Sequence, residues 1–112
     1  MSKSILTEYM DYCVICGKPR TDVHHLIEGT SGRRLSDEDG LICPLCASHH
    51  NMHRYSVHDC REMNVMSHII GELAWERQRL ADEVSKNDDR TTDEVIEQVK
   101  TSFRKRYGKC YL

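Results

Sequence analysis

The spacing of apolar residues changes partway along the chain. From residue 59 onward it is helical: Met66, Ile69, Ile70, Leu73, Ala74, Leu80, Ala81 and Val84 recur every three to four positions, which predicts one long helix whose apolar stripe is core. Asp59, with Glu62 three residues on, reads as the capping box that starts it. A polar linker over 85–91 follows. Thr91 with Glu94 marks a second cap, Val95, Ile96, Val99, Phe103 and Tyr107 form a second apolar face, and Gly108 is a helix stop. Before residue 59 the pattern is short and broken. Asp22–Ile27 and Leu41–Leu45 read as two strands, Pro44 placing the second at a sheet edge or ending it. Between them, Glu28 to Gly40 is polar, carries three glycines and reads as a loop. Residues 3–12 are a short helix or an irregular arm, residues 13–20 a tight turn, and Cys46 to His53 the first turns of a helix. The order of turn, strand, loop, strand and helices predicts an α+β class, with residues 1–112 as one domain: a core over 13–58 and a helical extension over 59–112.

Composition makes that core lean. Of 112 residues, 38% are apolar, with one Phe and one Trp, so a structural metal would help the fold. No apolar run approaches the roughly 20 residues of a membrane span. The N-terminal residues lack the apolar stretch of a secretory signal, so the expected location is the cytoplasm, where cysteines bind metal more often than they pair. The formal net charge of -2 means that any nucleic-acid contact comes from local basic patches helped by divalent cations.

The candidate chemistry is concentrated in that core. Four of the six cysteines and six of the seven histidines lie within residues 13–58. Cys13 and Cys16 are spaced as one half of a tetrahedral zinc site. The second half is either Cys43 with Cys46, or Cys46 with His49 one helical turn on. The strand face shared by Leu41, Cys43 and Leu45 favours the latter, with Cys43 buried as a small hydrophobe. Cys60 and Cys110 have no partner spacing. A four-ligand zinc leaves His24, His25, His50 and His58 over. Adjacent strand residues point to opposite faces, so His24 and His25 divide between two tasks: one holds a divalent ion, the other acts as a base near neutral pH. A base and a metal are the parts that phosphodiester hydrolysis needs.

Taken together, Cys13-x-x-Cys16, Val23-His24-His25-Leu26, Gly40-Leu41, Leu45-Cys46-x-x-His49-His50 and Val57-His58 resemble the HNH endonucleases, in particular the small CxxC-containing members common in phages and prophages. The motifs cover residues 13–58, about 40% of the chain, and the helical tail resembles that group more loosely. The resemblance implies a ββα-metal core with a zinc knuckle. It implies that His25 is the general base, that His24 and His50 bind a catalytic Mg²⁺, Mn²⁺ or Ni²⁺, and that Cys13, Cys16, Cys46 and His49 hold structural Zn²⁺. His58, or else His53, would contact the metal or the scissile phosphate. The family's central asparagine has no obvious counterpart. Asp39-Gly40 stands in its region, where Asp39 or a backbone carbonyl would orient the base.

Arg33 and Arg34 between the strands, and Arg54 beyond them, are expected on DNA phosphates, giving affinity without sequence information. The expected substrate is double-stranded DNA, read with weak sequence preference. A phage or recombination partner protein, and a bacterial host cell as the setting, follow from the resemblance alone. The apolar face of the Met66–Val84 helix is expected inside the chain or against a second copy. The alternative reading is a non-catalytic, zinc-stabilised nucleic-acid-binding or adaptor module, which the missing asparagine and the acidic net charge favour.

Overall fold

Gly29 and Gly40 bracket a helix, not a loop. In the computed structural model, which describes residues 3–112, the elements run β1 (Asp22–His25), α1 (Thr30–Asp39), β2 (Ile42–Leu45), α2 (Ala47–His50), α3 (Arg61–Val84) and α4 (Thr92–Tyr107). The polar stretch from Glu28 to Gly40 was expected to be loop. Its glycines instead serve as the ends of α1. Gly40 takes a left-handed φ of 75°, and Leu41 N–H reaches back to Ser36 O at 2.8 Å, closing the helix. A Cβ at Gly40 would lie 2.3 Å from Lys3 O, so no other residue fits there without shifting the N-terminal arm. Inside α1, Ser36 is buried beside the apolar Leu35. Its hydroxyl donates to Ile27 O and accepts from Ile27 N–H, at 2.8 and 3.1 Å, and Arg34 pairs with Glu38 one turn on.

The two strands pair antiparallel, with His24 opposite Cys43 and His25 opposite Ile42. Pro44 is tolerated because its carbonyl, on the outer side of β2, accepts Val14 N–H from the 13–16 turn at 3.0 Å. The N-terminal arm is irregular, touching the rest through Tyr12 opposite Pro19 and Ile5 N–H on Gly40 O. α2 is one turn long and ends at His50, shorter than expected.

α3 starts at Arg61, not at Asp59. Asp59 instead accepts from Ser56 Oγ, and the N-cap Cys60 makes no side-chain cap. The expected core stripe of α3 is largely on the outside: Met66, Leu73 and Val84 keep 53%, 53% and 66% of their surface. The buried face is Ser67, Gly71, Glu72, Trp75 and Glu76. Gly71 explains the choice, because a Cβ there would meet Ile27 Cδ1 and Leu26 Cβ at 3.0 and 3.1 Å. The helix therefore lies so close to Leu26 and Ile27 that a larger residue would need those side chains to give way, which favours turning this face inward. α4 largely follows its pattern: Thr91 and Glu94 form a complete capping box, Gly108 caps the end, and Val95, Val99 and Phe103 are buried, while Ile96, expected on the same face, is exposed. Phe103 stacks on Tyr107 and meets Trp75 edge-on. Among the described residues, no helix is long and apolar enough to cross a membrane.

Asp39, the last residue of α1, joins three helices. It accepts from Trp75 Nε1 at 3.0 Å, from Arg106 Nε and Nη2 at 2.7 and 2.8 Å, and from Tyr107 Oη at 2.7 Å. This placement removes Asp39 from the role of orienting a histidine. Asp39→Ala would strand these donors and cost about 3 kcal/mol, the low end for breaking a buried ion pair, because Arg106 keeps 33% of its surface in water. A thermal melt should fall by on the order of 12 °C. An unchanged melt would mean the network contributes nothing.

Candidate metal centres

Two clusters of ligands stand side by side at the junction of the 13–16 turn, the sheet and α2. The first joins Cys13, Cys16, Cys46 and His49, whose ligand atoms all lie within 4.8 Å of one another. The turn supplies the first two. Gly17 at a φ of 77° lets the chain double back so that its N–H caps Cys13 O at 2.9 Å. Cys46 ends β2, and α2 places His49 one turn later. Cys16 and Cys46 sulfurs are 3.7 Å apart, and His49 Nδ1 lies 3.7 Å from Cys13 Sγ and 3.3 Å from Cys46 Sγ. A tetrahedral ion with sulfur at about 2.3 Å and nitrogen at about 2.0 Å has edges of roughly 3.5–3.8 Å, so donor set and spacing both fit. Burial opposes the Cys13 thiolate, yet hydrogen bonds from the backbone at Cys46, Cys16 and Ile15 outweigh it and bring its pKa down to about 6. Cys16 moves the other way: Lys18 N–H favours its thiolate, but burial and the Cys46 and Cys13 thiols push it up. Sulfurs this close cannot all ionise without a cation among them. Cys43 stays out, buried in the core with its thiol pushed up to about 12 by burial.

The second cluster joins His24, His50 and His58. β1 carries His24 inward, where it is 2% exposed. The 51–56 turn returns the chain so that Val57 N–H meets His49 O and His58 N–H meets His50 O, at 2.8 and 3.1 Å. His50 Nε2 and His58 Nε2 are 3.0 Å apart, the spacing of neighbouring ligands on an octahedral ion at about 2.1 Å. Each ring is backed on its other side. Asp22 Oδ2 lies 3.3 Å from His50 Nδ1 and Glu28 Oε2 lies 3.7 Å from His58 Nδ1, within reach of ion pairing, although His50 Nδ1 makes no hydrogen bond. Ser67 Oγ, which donates onward to Leu26 O, takes the proton of His24 Nε2 at 3.0 Å, leaving the His24 lone pair on Nδ1. Asn64 Nδ2 steadies Glu28 at 2.7 Å. Histidines that ligate metals are characteristically held this way. Burial, then the neighbouring histidines His58 and His50, drive the His24 pKa down to about 3, so its imidazole is a neutral donor at any physiological pH.

His25, next in the strand, does not join the three. It lines the same cleft with Arg33, Glu28 and Gly29, and its Nε2 lies 3.7 Å from Asp37 Oδ1 on α1. Burial and then Arg33 lower its pKa, against the pull of Asp37. Of the other residues singled out, Arg34 is taken up by Glu38, Arg54 lies over the Tyr55 ring, and His53 packs beside Tyr55 away from the cluster. Sequence reasoning passed over Asp22, Glu28, Asp37, Asn64 and Ser67. For Asp22 a signal existed, since it shares a strand face with His24. For residues on α1 and α3 none did, because their approach depends on packing between elements.

No family model matches the chain, and no solved structure matches it. One curated relative is an uncharacterized protein of Escherichia coli (strain K12), YdfU, which is 45% identical over 40 residues. That match takes in 35% of this chain and 12% of YdfU, so the chain corresponds to a small part of that protein's length.

Proposed function

We propose that this chain is a metal-dependent DNA endonuclease of the HNH type, with a ββα-metal core pinned by structural zinc. The observation that carries the reading is the convergence of three backed imidazoles in a cleft that also presents His25 and Arg33. A Mg²⁺, Mn²⁺ or Ni²⁺ ion held there would offset the charge that develops on the scissile phosphate and the leaving oxygen. His24, His50 and His58 would be its protein ligands. His25, kept neutral by burial and Arg33, takes a proton from the attacking water, and Asp37 fixes its ring and steadies the imidazolium that forms. Asp37, not Asp39, thus fills the orienting role. Arg33 seats a phosphate at the cleft mouth. Cys13, Cys16, Cys46 and His49 would hold the zinc that fixes the 13–16 turn against α2 and so sets the position of His50. No base-reading helix is assigned among the described residues, and the expected substrate is double-stranded DNA cut with weak sequence preference.

A second reading, a zinc-stabilised binding or adaptor module, is favoured by the carboxylates of Asp22, Glu28 and Asp37 around the cleft, which repel phosphate unless a cation intervenes. The two separate in one assay. Supercoiled plasmid incubated with the protein and Mg²⁺, Mn²⁺ or Ni²⁺ should be nicked or linearised, and only with added metal. No cleavage with any of the three, from protein that still carries one zinc per chain, would favour the module.

A further inference from the structure

The outward face of α3 carries a regular seam. Met66, Ile70, Leu73, Arg77, Leu80 and Val84 are spaced 4-3-4-3-4, the alternation of a and d positions over nearly three heptads. Helix geometry puts them on the side opposite Trp75, the residue that faces the core. Met66, Ile70, Leu73 and Val84 keep 53%, 37%, 53% and 66% of their surface, while Leu80 is half-buried and also touches the chain's own core; Ile5 and Leu6 of the N-terminal arm deepen one edge of the stripe into a groove. A lone helix that needed only to cover its own core would have no reason to keep this seam free of acidic residues while Glu72 and Glu76 point inward.

The seam is also self-complementary. Counted outward from residue 75, Leu73 mirrors Arg77, Ile70 mirrors Leu80, and Met66 mirrors Val84. An antiparallel second copy, related by a twofold axis level with residue 75, therefore sets every a position against a d position with none left over, as an isologous interface requires. Charge selects the orientation. In a parallel pair the two Arg77 guanidinium groups would face each other in one apolar layer. In the antiparallel pair each lies against a leucine, in separate layers either side of the axis, and its long stem can cover Leu73 while the charged end reaches solvent. The helix dipoles also oppose. A standard interface takes roughly 800 Å² per partner, and both the seam of the 24-residue helix and the Ile5–Leu6 edge would contribute to it.

We propose that α3 is the interface of an antiparallel homodimer of this chain. No seam residue belongs to the histidine or the cysteine cluster, so the inference stands apart from the nuclease reading. Light scattering after size exclusion at about 50 μM should give twice the 13.1 kDa chain mass. Leu73→Glu should return the chain mass with an unchanged far-UV spectrum, because Leu73 supports no core contact, and Glu62→Lys, outside the seam, should remain dimeric. A photo-crosslinker at Ile70 should join to the peptide around Leu80. Crosslinking to the peptide around Ile70 would replace the antiparallel arrangement with a parallel one and overturn the proposal. A parent protein of single-chain mass at that concentration would also overturn it, as would a Leu73→Glu protein that stays dimeric.

Discussion

Cys46→Ser is expected to leave the N-terminal half of the chain unfolded. Cys46 ends β2, caps α2 and contributes one sulfur of the four-ligand cluster. Among the described residues, the segment before β1 contains no regular helix or strand; besides that cluster it is fastened by a few hydrogen bonds to β2 and Gly40 and by Ile5 and Leu6 against the core. Structural zinc sites supply about 10–16 kcal/mol at neutral pH, whereas whole domains are stable by about 5–15 kcal/mol. Losing the ion therefore exceeds what the lean core can absorb. α3 and α4, joined through Trp75, Val99 and Phe103, should keep part of their helical signal. The expected result is loss of bound zinc by elemental analysis, a shallow melt by circular dichroism, and rapid labelling of Cys43, which is 4% exposed in the folded chain. Chelator should do the same to the parent protein, and more readily as pH falls and the ligands take up protons. A Cys46→Ser protein that keeps its zinc and its melting temperature would remove the structural role assigned to the cluster.

His25→Ala should reduce plasmid nicking by about 10²–10⁴-fold, the usual contribution of a positioned general base, with the melt and both metal contents unchanged. The side chain lines the open cleft and lies outside the three-histidine group, so its removal widens that cleft and leaves the three histidines in place. Added imidazole should restore part of the rate, a rescue that a merely structural histidine would not show. His24→Ala should differ in kind. It removes a buried ring bonded to Ser67, so activity, the second ion and some stability are lost together. Asp37→Asn should fall between parent and His25→Ala in rate. Parent-level cutting by His25→Ala would transfer the base to another group.

What could be read from the sequence depended on range. Cys13 with Cys16, and Cys46 with His49, are paired by local spacing, and the structure brings those four together while leaving Cys43 in the core. The capping box at Thr91 and the stop at Gly108 are equally local, and both are present. Errors arose where packing between elements decided the outcome. Three glycines suggested a loop over Glu28–Gly40, yet two of them end a helix and Gly32 sits where a Cβ would lie 3.2 Å from Ile27 Cγ2. The apolar stripe of α3 promised core, but Gly71 gave the closer approach and turned that stripe outward. Asp39 and Asp37 are two residues apart on one helix. Only the tertiary arrangement shows that the first is committed to Arg106 and Tyr107 and the second faces His25.

His49 belongs to one cluster and His50 to the other, so a single peptide bond separates the two sites. That adjacency imposes a sequence of events. Until the cysteine site is filled and α2 is wound, His50 has no fixed place from which to meet His24 and His58. On the reading proposed above, filling would be ordered: zinc in the thiol-rich site would fix α2 before the imidazole site could take its own ion. The two sites would then act in series, and withholding zinc would be expected to silence the second without touching any of its ligands.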